Sequence, residues 1–155
     1  MDLARIAALI AVLGTAVVYG TDVFCAMVQR PALARVDDHA LVAMMGNVHR
    51  YGDRRMPVPG ALGIVAAAAS AALAGAAGRW TPSVAAAAAV ALLLAWLFIY
   101  TTVSAPINRQ FTAAADANEV PPSVRVLQRN WDQVITARAA LQGLAVAALC
   151  VALVT

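Results

Sequence analysis

Trp131, Ile135, Arg138 and Gln142 follow one another at intervals of four, three and four residues, which places them on one face of a helix. A face carrying an indole, a guanidinium and a carboxamide is poorly suited to lipid. It is suited to holding a planar molecule against the indole while Arg138 directs charge-assisted hydrogen bonds at an anion or a carbonyl oxygen. Arg138 stands near the start of an apolar run. A charged side chain there is paired, lies in a cavity, or snorkels to the interface. Asp22 is the obvious counter-charge. With Thr21 it breaks another long apolar run, and Tyr19, Asp22 and Cys25 share a face at intervals of three. Two readings stay open. Asp22 and Arg138 pair and tie the first helix to the last, or they face a ligand, with Asp22 as proton acceptor or metal ligand.

His39 and His49 are the only histidines. His39 follows Asp38 near a helix start, in water. His49 precedes the charged segment RYGDRRMP and can join Asp22 and Asn108 in a polar cluster beneath the apolar runs. An imidazole and a carboxylate there would serve as proton acceptors. The spacing for metal chemistry is missing: the chain has no HxxxH, no ExxH and no paired-carboxylate repeat, so a di-iron bundle is not supported. Cys25, Met27, Met44, Met45 and His49 contain copper-type donors, but scattered methionines ordinarily pack. No metal and no cofactor is expected. P-loop, dinucleotide-binding and GxSxG nucleophile signatures are absent. Cys25 and Cys150 lack CxxC spacing and read as small buried hydrophobes.

The elements that must position these residues follow from composition. Of 155 residues, 63% are hydrophobic and 12% charged, and the mean hydropathy is +0.77. A soluble domain carries about 25% charged residues, so the chain reads as a single integral membrane domain. Four apolar runs, at about 6–28, 60–78, 84–103 and 135–154, each approach the ~20 residues a spanning helix needs. Backbone groups in lipid must satisfy one another, so the fold class is all-α: an up-and-down four-helix membrane bundle. Gly60, Gly63 and Ala67, and then Ala71, Gly75 and Gly78, recur at helical spacing and predict close helix contact.

The basic residues are all arginines. Only Arg5 and Arg79 belong to one side of the bundle, whereas Arg30, Arg35, Arg50, Arg54, Arg55, Arg109, Arg125 and Arg129 belong to the other, called side B below. That bias predicts a cytoplasmic side B and both termini outside, in a membrane of the bacterial inner-membrane kind. Net charge is +3, with no groove-reading motif, so lipid headgroups and not nucleic acid are the expected counter-charge. Both side-B connections, 29–59 and 104–134, contain helical periodicity. Residues 36–51 predict an interfacial or protruding helix. Pro121, Pro122 and Ser123 predict the start of a helix that runs unbroken into the fourth span.

Three segments resemble the small four-helix membrane proteins related to fungal anthrone oxygenases, a family otherwise largely of unknown function. They are GTDVFCAMVQRPAL at the end of span one, ALVAMMGNVHRYGDRRMP before span two, and Pro106-Ile107-Asn108 after span three with Trp131 and, seven residues on, Arg138. Members associated with oxygenase chemistry often carry His or Asn four residues after the Trp; this chain has Ile135 there. The resemblance implies a membrane location and oxidoreductase-like chemistry on a hydrophobic aromatic, quinone- or anthrone-like molecule. In that reading Asp22, His49 and Arg138 are the reacting groups, and Asn108, Trp131, Gln142 and Tyr19 bind substrate. The alternatives are a structural or accessory subunit, with a partner membrane protein or a second copy of the chain, and a protein that binds or exports lipids or small molecules.

Overall fold

A computed structural model describes residues 2–155. The described chain is helical almost throughout. Helix α1 (Leu3–Phe24) passes through a π-helical turn at Cys25–Gln29 into the short α2 (Arg30–Leu33), and α3 (Asp38–Arg55) is followed by α4 (Pro57–Ala76). Helix α5 (Trp80–Ile99) passes through a second π turn at Tyr100–Ser104 into α6 (Ala105–Ala117), and α7 (Val124–Val154) closes the chain. Four of these helical units, Leu3–Leu33, Pro57–Ala76, Trp80–Ala117 and Val124–Val154, are long and apolar enough to cross a membrane.

Local chemistry explains the boundaries. Asp2 caps α1 by accepting the Arg5 N–H at 2.9 Å, and Asp37 caps α3 by accepting the Ala40 N–H at 2.8 Å. Pro57 opens α4, where its missing N–H leaves no broken bond. Gly78, at φ +71°, turns the chain between α4 and α5. Asn118, at φ 53°, ends α6 in the left-handed conformation that Asn tolerates.

Helix α1 packs against α4 and α7, and α5 packs against the same two, so the four spans form a closed up-and-down ring. The α1–α4 crossing is close because both sides are glycine: a Cβ on Gly14 would lie 2.9 Å from the Pro59 carbonyl oxygen, and one on Gly63 2.7 Å from Thr15 Oγ1. Of the expected small-residue positions, Gly63 and Ala67 are buried in this bundle, whereas Gly78 forms the turn. On side B, α3 lies along α6, and Gly46 is pressed against Ala115 and Phe111.

The helices exceed the apolar runs read from sequence. Spans one and three continue past residues 28 and 103 because the π turns absorb the defects that Pro31 and Pro106 introduce. Proline removes an N–H and clashes with the carbonyl four residues earlier. Widening the preceding turn, with Arg30 N–H bonded to Cys25 O and Ala105 N–H to Tyr100 O, relieves both. Residues 105–117 therefore form a helix that prolongs span three. Helix α3 matches the helix expected near 36–51, and α7 runs unbroken into span four.

Candidate functional site

Asp22 lies on the last turn of α1 and Arg138 two turns before the middle of α7, and their side chains meet at 2.7 Å with both residues buried. The carboxylate is fully engaged. Oδ1 accepts from Arg138 Nη2, and Oδ2 accepts from Gln142 Nε2 at 2.6 Å and from Trp96 Nε1 at 3.1 Å. Arg138 Nη1 donates to Ser104 Oγ at 2.9 Å. The sites of charge thus join α1, α5, the second π turn and α7. The guanidinium is also surrounded by the rings of Tyr100, Trp96 and Trp131, with centroids 5.4, 5.9 and 5.9 Å from its carbon. One donor is left over: Arg138 Nε is buried without a partner.

A second network lies closer to side B. Trp131 Nε1 donates to Asn108 Oδ1 at 3.0 Å, Asn108 Nδ2 donates to Asp53 Oδ1 at 2.9 Å, and the Tyr100 hydroxyl donates to the same oxygen at 2.8 Å. His49 sits one helical turn before Asp53 on α3, with its ring 5.6 Å from that of Trp131 and 6.0 Å from that of Phe111. It is 5% exposed, and its Nε2 has no partner. Burial pushes its pKa down from 6.5 to about 4, against the opposing pull of the Asp53 charge. At neutral pH it is a neutral imidazole with a free nitrogen.

Between the two networks is a cavity of about 290 Å³. Its far wall holds Asp22, His49, Asp53, Tyr100, Asn108, Trp131 and Arg138. Its near rim is formed by Val18 and Thr21 of α1 and by Val48, Gly52, Met56, Pro57, Gly60 and Ala61 around the α3–α4 junction. Thr21, Val48, Pro57 and Ala61 are exposed, while Asp22, His49, Asn108, Trp131 and Arg138 are buried. The opening is therefore a lateral one, between the side-B end of α1 and the α3–α4 elbow. Gln29, donating to Met45 Sδ at 3.2 Å, ties the first π turn to α3 beyond it. Apolar atoms dominate the rim, and the polar groups converge at the back, the usual composition of a small-molecule pocket.

Of the residues expected from sequence, Asp22, His49, Asn108, Trp131 and Arg138 all line this one cavity. Arg138 does both things left open: it pairs with Asp22 and it borders an empty space. Two residues stand elsewhere. Gln142 is behind the wall, holding Asp22, and Tyr19 packs over Gly143, where a Cβ would meet its ring at 3.1 Å. Neither borders the cavity, so direct substrate contact by Gln142 and Tyr19 has no geometric basis. Asp22, a candidate proton acceptor, has both oxygens occupied, which leaves it the task of fixing Arg138. Ile135 is fully buried in the apolar cluster with Trp131 and Phe111 and contributes packing. His39 is exposed, as its place at a helix start implies. Asp53 and Ser104 were not singled out by the sequence. The one signal for Asp53 is its position four residues after His49, on the same helical face. Among the described residues, no three His, Cys, Asp or Glu side chains converge as metal ligands.

Comparison with family models, curated proteins and solved structures finds no match to this chain.

Proposed function

We propose that this membrane protein takes a hydrophobic aromatic carbonyl or phenol from the lipid and acts on it as a small oxidoreductase, in the manner the resemblance to anthrone-oxygenase-like proteins implies. The single observation that carries the reading is the lateral cavity: an apolar, exposed rim leading to a buried wall on which His49 Nε2 and Arg138 Nε are both without partners. An unpartnered buried polar group costs free energy, so two of them facing one space mark a place where a ligand supplies the missing bonds. Arg138 Nε–H is a donor for a carbonyl or phenolate oxygen. His49 is an acceptor for an acidic proton. Trp131, anchored through Asn108, is a platform for an aromatic ring.

The chemistry that fits is proton abstraction followed by oxidation. An enolisable aromatic ketone gives up a proton from its ring methylene to His49 Nε2, and the negative charge gathers on the carbonyl oxygen beside Arg138. The resulting electron-rich enolate is then oxidised by dioxygen. Overall, the methylene becomes a carbonyl, one molecule of dioxygen is consumed and one of water is released. In the orientation predicted by the arginine bias, the cavity opens within the cytoplasmic leaflet.

The test is binding by the full chain in mild detergent, followed through quenching of tryptophan fluorescence by anthraquinone. Saturable quenching is expected. The exposed rim substitution Val48→Trp narrows the opening and is expected to weaken binding at least tenfold without changing helix content. Quenching that stays linear with anthraquinone concentration, and is the same in Val48→Trp, means that the molecule merely partitions into the micelle and the reading fails.

A further inference from the structure

Asp53 is the carboxylate on the cavity wall that no arginine neutralises. Asp22 is held by Arg138, Asp116 by Arg50, Asp38 by Arg125 and Asp2 by Arg79, whereas Asp53 takes its two bonds from neutral groups, the Tyr100 hydroxyl and the Asn108 carboxamide. Both donors go to the same oxygen. Among the described residues Oδ2 receives no donor, and Asp53 is half-buried beside the exposed Arg54 and Arg55. The residue thus has one oxygen clamped and the other free, with the cavity on one flank and the side-B surface on the other. His49 is one helical turn away on the same face of α3.

Resting on the reading of the cavity given above, we propose that Asp53 carries protons between His49 and the aqueous phase at side B, and that Tyr100 and Asn108 position its carboxylate for that exchange. A phenol in the cavity loses its proton to His49 Nε2: the O–H bond breaks and an N–H bond forms. The imidazolium passes the proton on its Nδ1 to Asp53 Oδ2. The carboxylic acid then releases it to water, and both residues return to their starting states. No electron moves. The shuttle suits the surroundings, because an imidazole held in a dry site keeps a proton only briefly and needs a second acceptor. The other titratable or charged groups on the cavity wall are unsuited to it. Asp22 and Arg138 are committed to each other, Cys25 donates to Gln29 Oε1 at 2.8 Å, and Tyr100 is a donor to Asp53 itself. Helix α4 brings no titratable group to the wall, and α6 brings only the neutral Asn108, with Arg109 outside the cavity.

The experiment uses the full chain in detergent and an alkylated 4-nitrophenol, whose visible absorbance distinguishes phenol from phenolate. Bound probe is subjected to a rapid pH jump and its ionisation followed by stopped flow. Asp53→Asn preserves the side-chain size and is expected to bind the probe within twofold of wild type but to ionise it at least tenfold more slowly. Asp53→Glu and added formate are both expected to restore much of the rate, which a purely structural role would not allow. Asp53→Ser replaces Asp53→Asn if the latter does not fold. Ionisation in Asp53→Asn or Asp53→Ser at the wild-type rate overturns the shuttle while leaving the cavity reading intact. Failure of the wild type to bind the probe removes the cavity reading, and the shuttle with it.

Discussion

Arg138 and Asp22 occupy a depth at which neither would be tolerated alone. Paired and fully hydrogen-bonded, they replace hydration with a fixed set of partners from three helical units. Removing one leaves an uncompensated buried charge, a change that costs about 3–5 kcal/mol, whereas removing both leaves none. Arg138→Leu is therefore expected to unfold well below the wild-type temperature in detergent, and Asp22→Leu with Arg138→Leu to recover much of that loss. Thermal melts of the two single variants and the double variant decide it; simple additivity would show that the pair is not a unit. His49 adds a pH dependence whose sign is fixed. Its folded pKa of about 4 lies below the unfolded 6.5, so the unfolded chain binds the proton more readily between these values. Stability falls as pH drops from about 6.5 to about 4, by a total of about 3 kcal/mol at ~1.4 kcal/mol per unit. Denaturation followed by circular dichroism at pH 7 and pH 4.5 is expected to show that loss in the wild type and much less of it in His49→Phe. At this scale the sequence revealed much: Asp22, Asn108, Trp131 and Arg138 stood out because polar residues are conspicuous at helical spacing in an apolar chain. Asp53 did not, because an acid inside GDRRMP looks like one more solvated charge until α6 is laid against it.

The elements differ in how they can be disturbed. Helices α1 and α4 approach through Gly14 and Gly63, and α3 and α6 through Gly46, where no Cβ fits beside Ala115 and the Phe111 carbonyl. Gly46→Leu drives α3 off α6. The local cost is about 1–3 kcal/mol by the usual measure of overpacking, and the larger effect is on the site, since α3 carries His49 and Asp53 while α6 carries Asn108. The variant is expected to keep its four spans, and so its helical circular dichroism, while losing saturable quenching by anthraquinone. Retained binding in a folded Gly46→Leu protein would separate the α3–α6 contact from the site. The spans themselves were readable from hydrophobicity and length. The π turns were not. Pro31 and Pro106 read as helix ends, because the rule that proline stops a helix says nothing about a wider turn that lets the helix continue. That is why residues 105–117 were seen as a polar connection with a cap and not as the continuation of span three.

For the molecule as a whole, the four spans close into a ring, and α2, α3, α6 and the start of α7 extend it on side B. Ion pairs mark the two ends differently. Arg79 pairs with Asp2 on one side, while Arg50 pairs with Asp116 and Arg125 with Asp38 on the other. The arginine excess predicts that the second end is cytoplasmic. A Glu119→Cys substitution in a background where Cys25 and Cys150 are Ser tests that orientation: a membrane-impermeant maleimide is expected to label it in inverted vesicles and not in intact cells. Labelling in intact cells reverses the orientation, and with it the leaflet into which the cavity opens.

The two π turns have a consequence for how this chain tolerates insertions and deletions. Each residue of an α-helix advances the face by about 100°. A π turn accommodates one residue more than the α-helical turn it replaces, so it acts as a phase shift written into the helix. Deleting Thr102 would let span three regain uninterrupted α-helical phase, and everything beyond it would rotate by about that angle. The membrane-spanning part, Trp96 included, would keep its place. Asn108 and Phe111 would swing away from Trp131 and α3, while Pro106 would clash with an ordinary helical turn. The site thus depends on a count of residues as much as on their identity. A change that alters no polar side chain at all would dismantle it.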